Sequence, residues 1–338
     1  MTRLTAGAVV LILVVAIAGA ATLSRTVAAQ GASSQGHPLV TQAEFDRWQT
    51  ELSNWGRWGP NDEMGTLNLV TPAKRKQAAA LVKEGFPVSL SAMTVTEKNE
   101  DVANPVEWAM LNVSPSGSSD RIAYPGIHGA AHTHIDTFAH QLYKGTMYNG
   151  YPASEHVTLQ GGATRESVLT MKDGIVTRGV LYDIPRLKGV AYLEPGTRIY
   201  PDDMEAWEKK SGAKVGPGDA LIIRWGRWSR EATLGPYRTG GQAAGFDNSI
   251  LPWLKKRDVA LIAWETPDYT PKPEGDLPGN TVHNFVLYRL GMHVIDRGNY
   301  EALAEAAATR KRWEFMLTVA PLLLPKATGS PVNPIAMF

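Results

Sequence analysis

The sequence predicts an α/β or α+β fold, because helical patterns and short apolar strand patterns interleave along the chain. Of its 338 residues, 43% are hydrophobic and 20% are charged, a composition typical of globular proteins and not of disordered or fibrous ones. No internal repeat and no long linker interrupts the chain after residue 40. We therefore predict a single domain over residues 41–338.

Four segments carry the residues that start and stop helices. The predicted helices cover residues 72–84, 202–211 and 281–290, and an alanine-rich fourth helix follows Asn299. The first opens with Thr71 and a proline, and Gly85 closes it. The second is the best marked, because acidic residues occupy its first turn, lysines occupy its last turn and Gly212 follows it.

Four short apolar runs lie between these helices and predict strands. They cover residues 180–184, 220–224, 259–264 and 315–319. The turn sequences Gly-Pro-Gly-Asp and Arg-Asp precede two of them. The alternation of such strands with helices is the basis of the predicted fold class.

The N-terminus has the pattern of a secretory signal peptide. Arg3 precedes an unbroken run of apolar residues and glycine over 6–21, and small residues at 27–29 form a cleavage site. The run is shorter than the roughly 20 residues that cross a membrane, so an uncleaved anchor is the less favoured interpretation. We predict a signal peptide over residues 1–29, a flexible lead-in over 30–40, and a periplasmic or secreted protein without stable membrane association.

Charge and cysteine content exclude several classes of function. The net charge is +1 and no run of lysine and arginine occurs, so we expect no nucleic-acid partner. The chain has no cysteine, which excludes disulfides, thiolate ligands and a cysteine nucleophile. The Gly-x-Ser-x-Gly motif of serine hydrolases and the glycine-rich phosphate loops are also absent. Any bound metal must therefore be held by histidines and carboxylates.

Half of the eight histidines lie close together in one segment. They are His128, His132, His134 and His140. Alternate residues of a strand share a face, so a strand here would align His132, His134 and Asp136, with His128 on the same side. Two imidazoles and a carboxylate are ligands for Zn²⁺ or Mn²⁺, and His140 could be a further ligand or a general base. The alternative interpretations are a solvated polar strand face and imidazoles that are hydrogen-bonded in the core.

The sequence around these histidines resembles that of a known family. Thr133-His134-x-Asp136-x-x-x-His140 is similar to the T-H-x-D-x-P-x-H core of the cyclase family, metal-dependent hydrolases that include bacterial kynurenine formamidases and isatin hydrolases. The resemblance spans most of the mature chain. Further similar stretches are residues 54–68, 178–183, 215–226 and 283–296.

This resemblance implies a fold and an activity. The implied fold is a swivelling β/β/α arrangement, with a mixed, barrel-like β-sheet core surrounded by helices, often as a dimer or tetramer. The implied enzyme is arylformamidase-like, as in tryptophan catabolism. It would hydrolyse a C–N bond other than a peptide bond in a small amide, formamide or lactam. A divalent ion, Zn²⁺ or Mn²⁺, would activate water and polarise the scissile carbonyl.

Two departures from the family pattern affect the expected ligands. The first histidine of the family motif H-x-G-T-H-x-D is replaced by Ala130, and the proline of the core by Phe138. Strand register favours His132 as the replacement ligand over His128. At the distal end, Asp296 stands where the family usually has glutamate.

The predicted site follows from this comparison. The expected metal ligands are His132, His134, Asp136, His140, His283 and Asp296. The expected catalytic residues are His140 and His283, as proton shuttles, and Glu265, a competing carboxylate at the end of a predicted strand. Two other functions stay open, because a fold does not guarantee an activity. One is an inactive periplasmic protein that binds a metal or a ligand on the same scaffold, and the other is a metal-dependent cyclase or dehydratase.

Overall fold

The structure of the protein, a computed structural model, describes residues 36–236, 243–266 and 281–338. The predicted signal peptide and the first part of the predicted lead-in lie outside the described residues. Among the described residues, no helix combines the length and the hydropathy that a membrane crossing requires.

Helices and short strands interleave along the described residues. The helices are α1 (Gln42–Glu51), α2 (Pro72–Ala79), α3 (Ala153–His156), α4 (Ile184–Lys188), α5 (Pro201–Ser211), α6 (Arg227–Leu234), α7 (Ile250–Arg257), α8 (Thr281–Tyr288) and α9 (Glu301–Arg310). Short 3₁₀ turns cover Gly65–Leu69, Phe138–His140, Tyr148–Gly150 and Val168–Met171. The strands are β1 (Pro87–Ser89), β2 (Glu107–Ser114), β3 (Gly117–Ala123), β4 (His134–Asp136), β5 (Val157–Thr158), β6 (Gly162–Ala163), β7 (Ile175–Asp183), β8 (Arg198–Ile199), β9 (Ala220–Arg224), β10 (Gly245–Phe246), β11 (Leu261–Ala263), β12 (His293–Asp296), β13 (Glu314–Val319), β14 (Gly329–Pro331) and β15 (Ile335–Met337).

Nine strands form one curled, mixed sheet in the order β1-β15-β13-β7-β9-β11-β12-β4-β14. The central strands β7, β9, β11 and β12 are parallel, and antiparallel strands extend the sheet on both sides. Parallel neighbours need a crossover connection, and α4 to α7 supply it between the first three. The predicted α/β class with a mixed sheet and surrounding helices is confirmed.

The hydrophobic core lies on both faces of this sheet. On one face, Leu221 and Ile223 of β9 belong to the same buried cluster as Phe285 of α8. On the other face, Ile222 belongs to a cluster with Leu303 of α9. Burial on both faces explains why the central strands are continuous apolar runs rather than alternating ones.

The elements with the strongest local signals are confirmed. The helix predicted over 202–211 is α5, and Gly212 ends it with a left-handed φ of 74°. The strand predicted over 220–224 is β9. The helix predicted after Asn299 is α9, and the Asn299 side chain accepts a hydrogen bond from the N–H of Glu301 at 3.1 Å.

The helix predicted over 72–84 is shorter in the structure, where α2 ends at Ala79. Beyond it, the backbone N–H groups of Gly85 and its two neighbours donate to the carbonyl of Phe338, the last residue of the chain, at 2.9–3.3 Å. These long-range hydrogen bonds hold the segment in a turn. A local pattern cannot foresee them.

Candidate metal centre

Strand β4 and its neighbour β12 bring three ligand-type side chains to one face of the sheet. His134 and Asp136 are two residues apart on β4, and antiparallel pairing places Asp296 of β12 opposite His134. The Nε2 of His134 lies 3.5 Å from the Oδ1 of Asp136 and 3.8 Å from the Oδ2 of Asp296. Register alone therefore makes the three side chains converge, and all three are buried.

Two further histidines approach Asp136 from outside the sheet. His283, in α8, places its Nε2 3.1 Å from Asp136 Oδ2 and 3.3 Å from Asp296 Oδ2. His140 belongs to the 3₁₀ turn that follows β4 directly, which directs its Nε2 to within 3.8 Å of Asp136 Oδ2. The fully buried carboxylate of Asp136 is thus the centre of the cluster.

His128 also reaches this cluster, although it lies outside any strand. Its Nδ1 is 2.7 Å from Asp136 Oδ1, and its Nε2 is 2.8 Å from the hydroxyl of Thr328. Its ring stacks on that of His140, with the ring centroids 3.5 Å apart and the planes at 8°. Both of its ring nitrogens therefore have fixed partners.

His132 lies outside the strand on which the alternation rule depends, with its ring centroid 5.6 Å from that of His134. The strand begins only at His134, so the alternation rule covers His134 and Asp136 and does not extend back to His132. The His132 ring lies edge-on to Tyr124, with centroids 4.7 Å apart, and neither nitrogen makes a hydrogen bond of normal geometry to a described residue. Of the two histidines considered for the position of Ala130, the structure places His128 beside Asp136.

Two groups of described residues have ligand atoms close enough to share an ion, within 4.8 Å of one another. They are His134, Asp136 and Asp296, and His128, Asp136 and His140. His283 contacts both carboxylates of the first group. Imidazole nitrogens and carboxylate oxygens in a buried site suit Zn²⁺ or Mn²⁺. The residues present therefore fit a divalent cation.

The electrostatics of the cluster favour positive charge at its centre. Burial would raise the pKa of Asp136, but hydrogen bonds with His128 and His283 hold it well below its ordinary value. Burial would lower the pKa of His283, but Asp296 and Asp136 raise it well above its ordinary value. Two carboxylates buried together need a cation nearby, and a divalent metal supplies the charge that they stabilise.

Comparison with known proteins agrees with this geometry. The family profile described as "Putative cyclase" matches residues 89–271, more than half of the chain. The chain belongs to the cyclase family. A crystal structure described as a novel cyclase is 29% identical to it, covers 85% of this chain and 100% of its own, and superposes with a TM-score of 0.73. The resemblance seen in the sequence is confirmed.

Isatin hydrolases share the fold of this cyclase-family chain. One, bound to the product analogue thioisatinate, is 17% identical over 77% of this chain and 94% of its own, with a TM-score of 0.51. Isatin hydrolase A from Labrenzia aggregata, bound to benzyl benzoate, is 16% identical over the same shares of both chains, with a TM-score of 0.53. No curated protein matches the chain. At these identities the likeness to isatin hydrolases is one of fold.

Glu265 belongs to neither of the two groups of candidate ligands. Its Oε2 accepts the backbone N–H groups of Trp225, Gly226 and Arg227 at 2.7–3.1 Å, which caps the first turn of α6. Its Oε1 has no partner among the described residues, and burial raises the pKa of this carboxyl to about 7. The structure gives Glu265 this helix-capping contact, and its catalytic role stays a prediction.

Three residues that sequence reasoning did not select support the cluster. Thr328 bonds His128, the indole N–H of Trp264 donates to the Asp296 carboxylate, and His293 lies 2.9 Å from the Asp136 carbonyl. Thr328 is 200 residues from its partner in the chain, and no local pattern marks it. Trp264 could have been suspected only as the neighbour of Glu265.

Proposed function

We propose that this cyclase-family protein is a metal-dependent hydrolase that cleaves the C–N bond of a small amide, formamide or lactam. The observation that carries the proposal is the buried convergence of His134, Asp136, Asp296 and His283, with His140 at its partly exposed edge. Membership of the cyclase family and the shared fold of the isatin hydrolases support the reaction class.

His134, Asp136, Asp296 and His283 would hold the ion, with His128 in place of the family ligand missing at Ala130. Zn²⁺ or Mn²⁺ bound there would polarise the scissile carbonyl and lower the pKa of a water molecule toward about 7. Thr328 and Trp264 would fix the orientation of His128 and Asp296 through their hydrogen bonds, as partners of metal ligands commonly do.

His140 is the best-placed proton acceptor of the site. Its Nε2 lies 3.8 Å from Asp136 Oδ2, at the edge of the ligand cluster, and burial lowers its pKa to about 4, so its imidazole is uncharged at neutral pH. Its side chain is 22% exposed, whereas that of His283 is 5% exposed and turned toward two carboxylates. We therefore assign the proton transfer from water to the leaving nitrogen to His140, and a ligand role to His283.

The experiment compares metal content with turnover in the purified protein, stripped with a chelator and reloaded with Zn²⁺ or Mn²⁺. His134→Ala should lose both the metal and the activity. His140→Asn should keep the metal and lose about 10²–10⁴-fold in kcat toward N-formyl aromatic amines, aryl amides or lactams. His156→Ala, a partly exposed histidine hydrogen-bonded only to Thr164 among the described side chains, is the matched control and should keep both.

The same assay separates the alternative functions. A metal-loaded wild-type protein that is inert toward the whole substrate panel would refute hydrolysis and favour a binding protein on this scaffold. A product that forms without net addition of water, measured by mass, would indicate cyclisation or dehydration at the same site. Full metal stoichiometry in His134→Ala would refute the ligand assignment.

The N-terminal pattern supports export as part of the proposal. The charged residue, the apolar run and the small residues at 27–29 predict cleavage before Gln30. N-terminal sequencing of the protein recovered from a periplasmic or culture fraction tests this. A chain that keeps Met1 and stays with the cytoplasmic fraction would contradict it.

A further inference from the structure

His140 lies beyond the part of β4 that the main sheet holds in register. The last paired residue of β4 is Asp136, which pairs with Val294 of β12 on one side and with Gly329 of β14 on the other. His140 follows four residues later, in the 3₁₀ turn Phe138–His140. The sheet therefore fixes the candidate ligands on β4, and other contacts must fix the residue to which we assign the proton transfer.

The side chain of Phe138 anchors this turn in the core. It is fully buried, and its ring stacks on that of His293, with the ring centroids 4.2 Å apart and the planes at 19°. The ring of Tyr148 also contacts it, with the centroids 4.8 Å apart. Gly65 leaves space for the edge of the ring, because a Cβ there would lie 2.8 Å from the Phe138 Cζ. Phe138 therefore fills a slot in the core that holds a ring.

His293 connects this slot to the end of β4. Its Nδ1 lies 2.9 Å from the backbone carbonyl oxygen of Asp136, and because a carbonyl only accepts hydrogen bonds, Nδ1 is the donor. One imidazole thus contacts both the last paired residue of the strand and the first residue of the turn. His293 is fully buried and belongs to neither group of candidate ligands, so these two contacts define its place in the site.

The backbone at residue 138 is compatible with the proline that the family motif has at this position. Thr137 is extended, with a φ of −100° and a ψ of 170°, which is the conformation that a following proline favours. Phe138 is the first residue of the turn, where proline is well tolerated, and its N–H has no backbone acceptor in the described chain. Proline would restrict the turn through its own ring, whereas Phe138 restricts it through contacts with the core.

We propose that Phe138 and His293 are positioning residues, which hold His140 in place for proton transfer instead of the proline of the family motif. The proposal rests on the proposed function, in which His140 moves the proton. Two other contacts of His140 do not involve this pair, because its N–H donates to the Thr137 carbonyl at 3.1 Å and its ring stacks on that of His128. Loss of the Phe138 ring should therefore loosen the turn without unfolding the chain or displacing the ligands on β4.

Kinetics and metal analysis of the Zn²⁺-loaded protein test the proposal, with the amide, formamide or lactam that the wild type hydrolyses fastest. Phe138→Leu should keep the metal and the KM and lose about 10–100-fold in kcat, because a misplaced general base is less effective. Phe138→Pro should regain most of this kcat, although proline fills the slot less well than leucine. If activity followed core packing alone, the proline variant would be no more active than the leucine variant, and that result would overturn the proposal.

Two variants of His293 separate its two contacts. His293→Asn keeps an amide N–H near the position of Nδ1 and removes the ring, whereas His293→Phe keeps a ring and removes the donor. Both should keep the metal and lower kcat. His293→Asn combined with Phe138→Leu should lose little more kcat than either change alone, because both remove the same ring contact. Losses in kcat that multiply in the double variant would contradict a shared contact.

Hydrogen exchange of the metal-loaded protein gives a measurement that does not depend on turnover. The backbone amides of residues 139–141 should exchange several-fold faster in Phe138→Leu than in wild type or Phe138→Pro. Phe315→Leu is the matched control, because it removes a fully buried ring from the other core cluster; it should lower stability and leave both kcat and this exchange unchanged. Equal exchange in Phe138→Leu and wild type would overturn the positioning role. An inert wild type with the expected exchange pattern would refute the proposed function alone.

Discussion

Replacing Glu166 by glutamine should remove one specific pH dependence of stability. The Glu166 side chain is fully buried, and neither carboxylate oxygen makes a hydrogen bond of normal geometry to a described residue. Burial raises its pKa to about 9, and the nearby carboxylates of Glu63 and Asp62 act in the same direction. At neutral pH the carboxyl is therefore protonated in the folded state.

The sign of the effect follows from proton linkage. Between pH 4.5 and about pH 9, the folded chain binds a proton at Glu166 that the unfolded chain has released. The free energy of unfolding therefore falls as the pH rises through this window, by up to about 1.4 kcal/mol per pH unit. Glutamine has a similar shape and does not titrate. The variant should gain stability relative to wild type by up to about 3 kcal/mol from pH 6 to pH 8.

The assay is urea unfolding of wild type and Glu166→Gln at pH 6, 7 and 8, followed by tryptophan fluorescence. The difference between the two proteins isolates this residue, because all other titrating groups are shared. Glu155→Gln, at an exposed position, is the control and should show no trend with pH. A difference between wild type and Glu166→Gln that is constant over the three pH values would refute the reasoning.

Three further changes test other parts of the structure. Thr328→Val removes the hydroxyl that is hydrogen-bonded to His128 and should weaken Zn²⁺ binding about 10–100-fold in a chelator competition. An unchanged Zn²⁺ affinity would argue against the proposed role of His128. Gly65→Ala should strongly lower the melting temperature, because Gly65 has a φ of +53° and an added Cβ would lie 2.0 Å from the Gly291 carbonyl oxygen. A variant as stable as wild type would contradict this packing. Glu265→Ala leaves the backbone N–H groups of Trp225, Gly226 and Arg227 unpaired at the start of α6 and should cost about 2 kcal/mol or more in urea unfolding; an unchanged free energy of unfolding would refute the importance of this cap.

Sequence patterns predicted the elements whose signals are local. The glycine stop after α5 and the apolar run of β9 suffice to place both elements. Among the antiparallel strands that flank the parallel core, the apolar run at 315–319 predicts β13. The three-residue strands β1, β14 and β15 carry no such local signal, and their pairing partners lie far away in the chain. The sequence pattern also extends α2 beyond its actual end, because the carbonyl of Phe338, far away in the chain, holds the following segment in another conformation.

The candidate site shows the same division between local and long-range information. The spacing of His134 and Asp136 placed both side chains together because they share one short strand. The prediction that this strand reaches back to His132 is wrong, because the residues before His134 form bends and not a strand. Spacing alone favours His132 over His128, whereas the position of His128 beside Asp136 depends on its contact with Thr328, 200 residues away in the chain.

The threonine of the Thr-His-x-Asp motif shows why the motif needs a non-ligand residue. The hydroxyl of Thr133 donates to the carbonyl of Arg297 at 2.6 Å and accepts the N–H of Ala92 at 2.9 Å, so it joins three segments at the start of β4. A slip of β4 by one residue would turn His134 and Asp136 to the opposite face of the sheet and disperse the cluster. A strand of only three residues has few hydrogen bonds with which to fix its register. The side chain of Thr133 adds two long-range bonds next to its first pair, and the metal-binding geometry depends on that register.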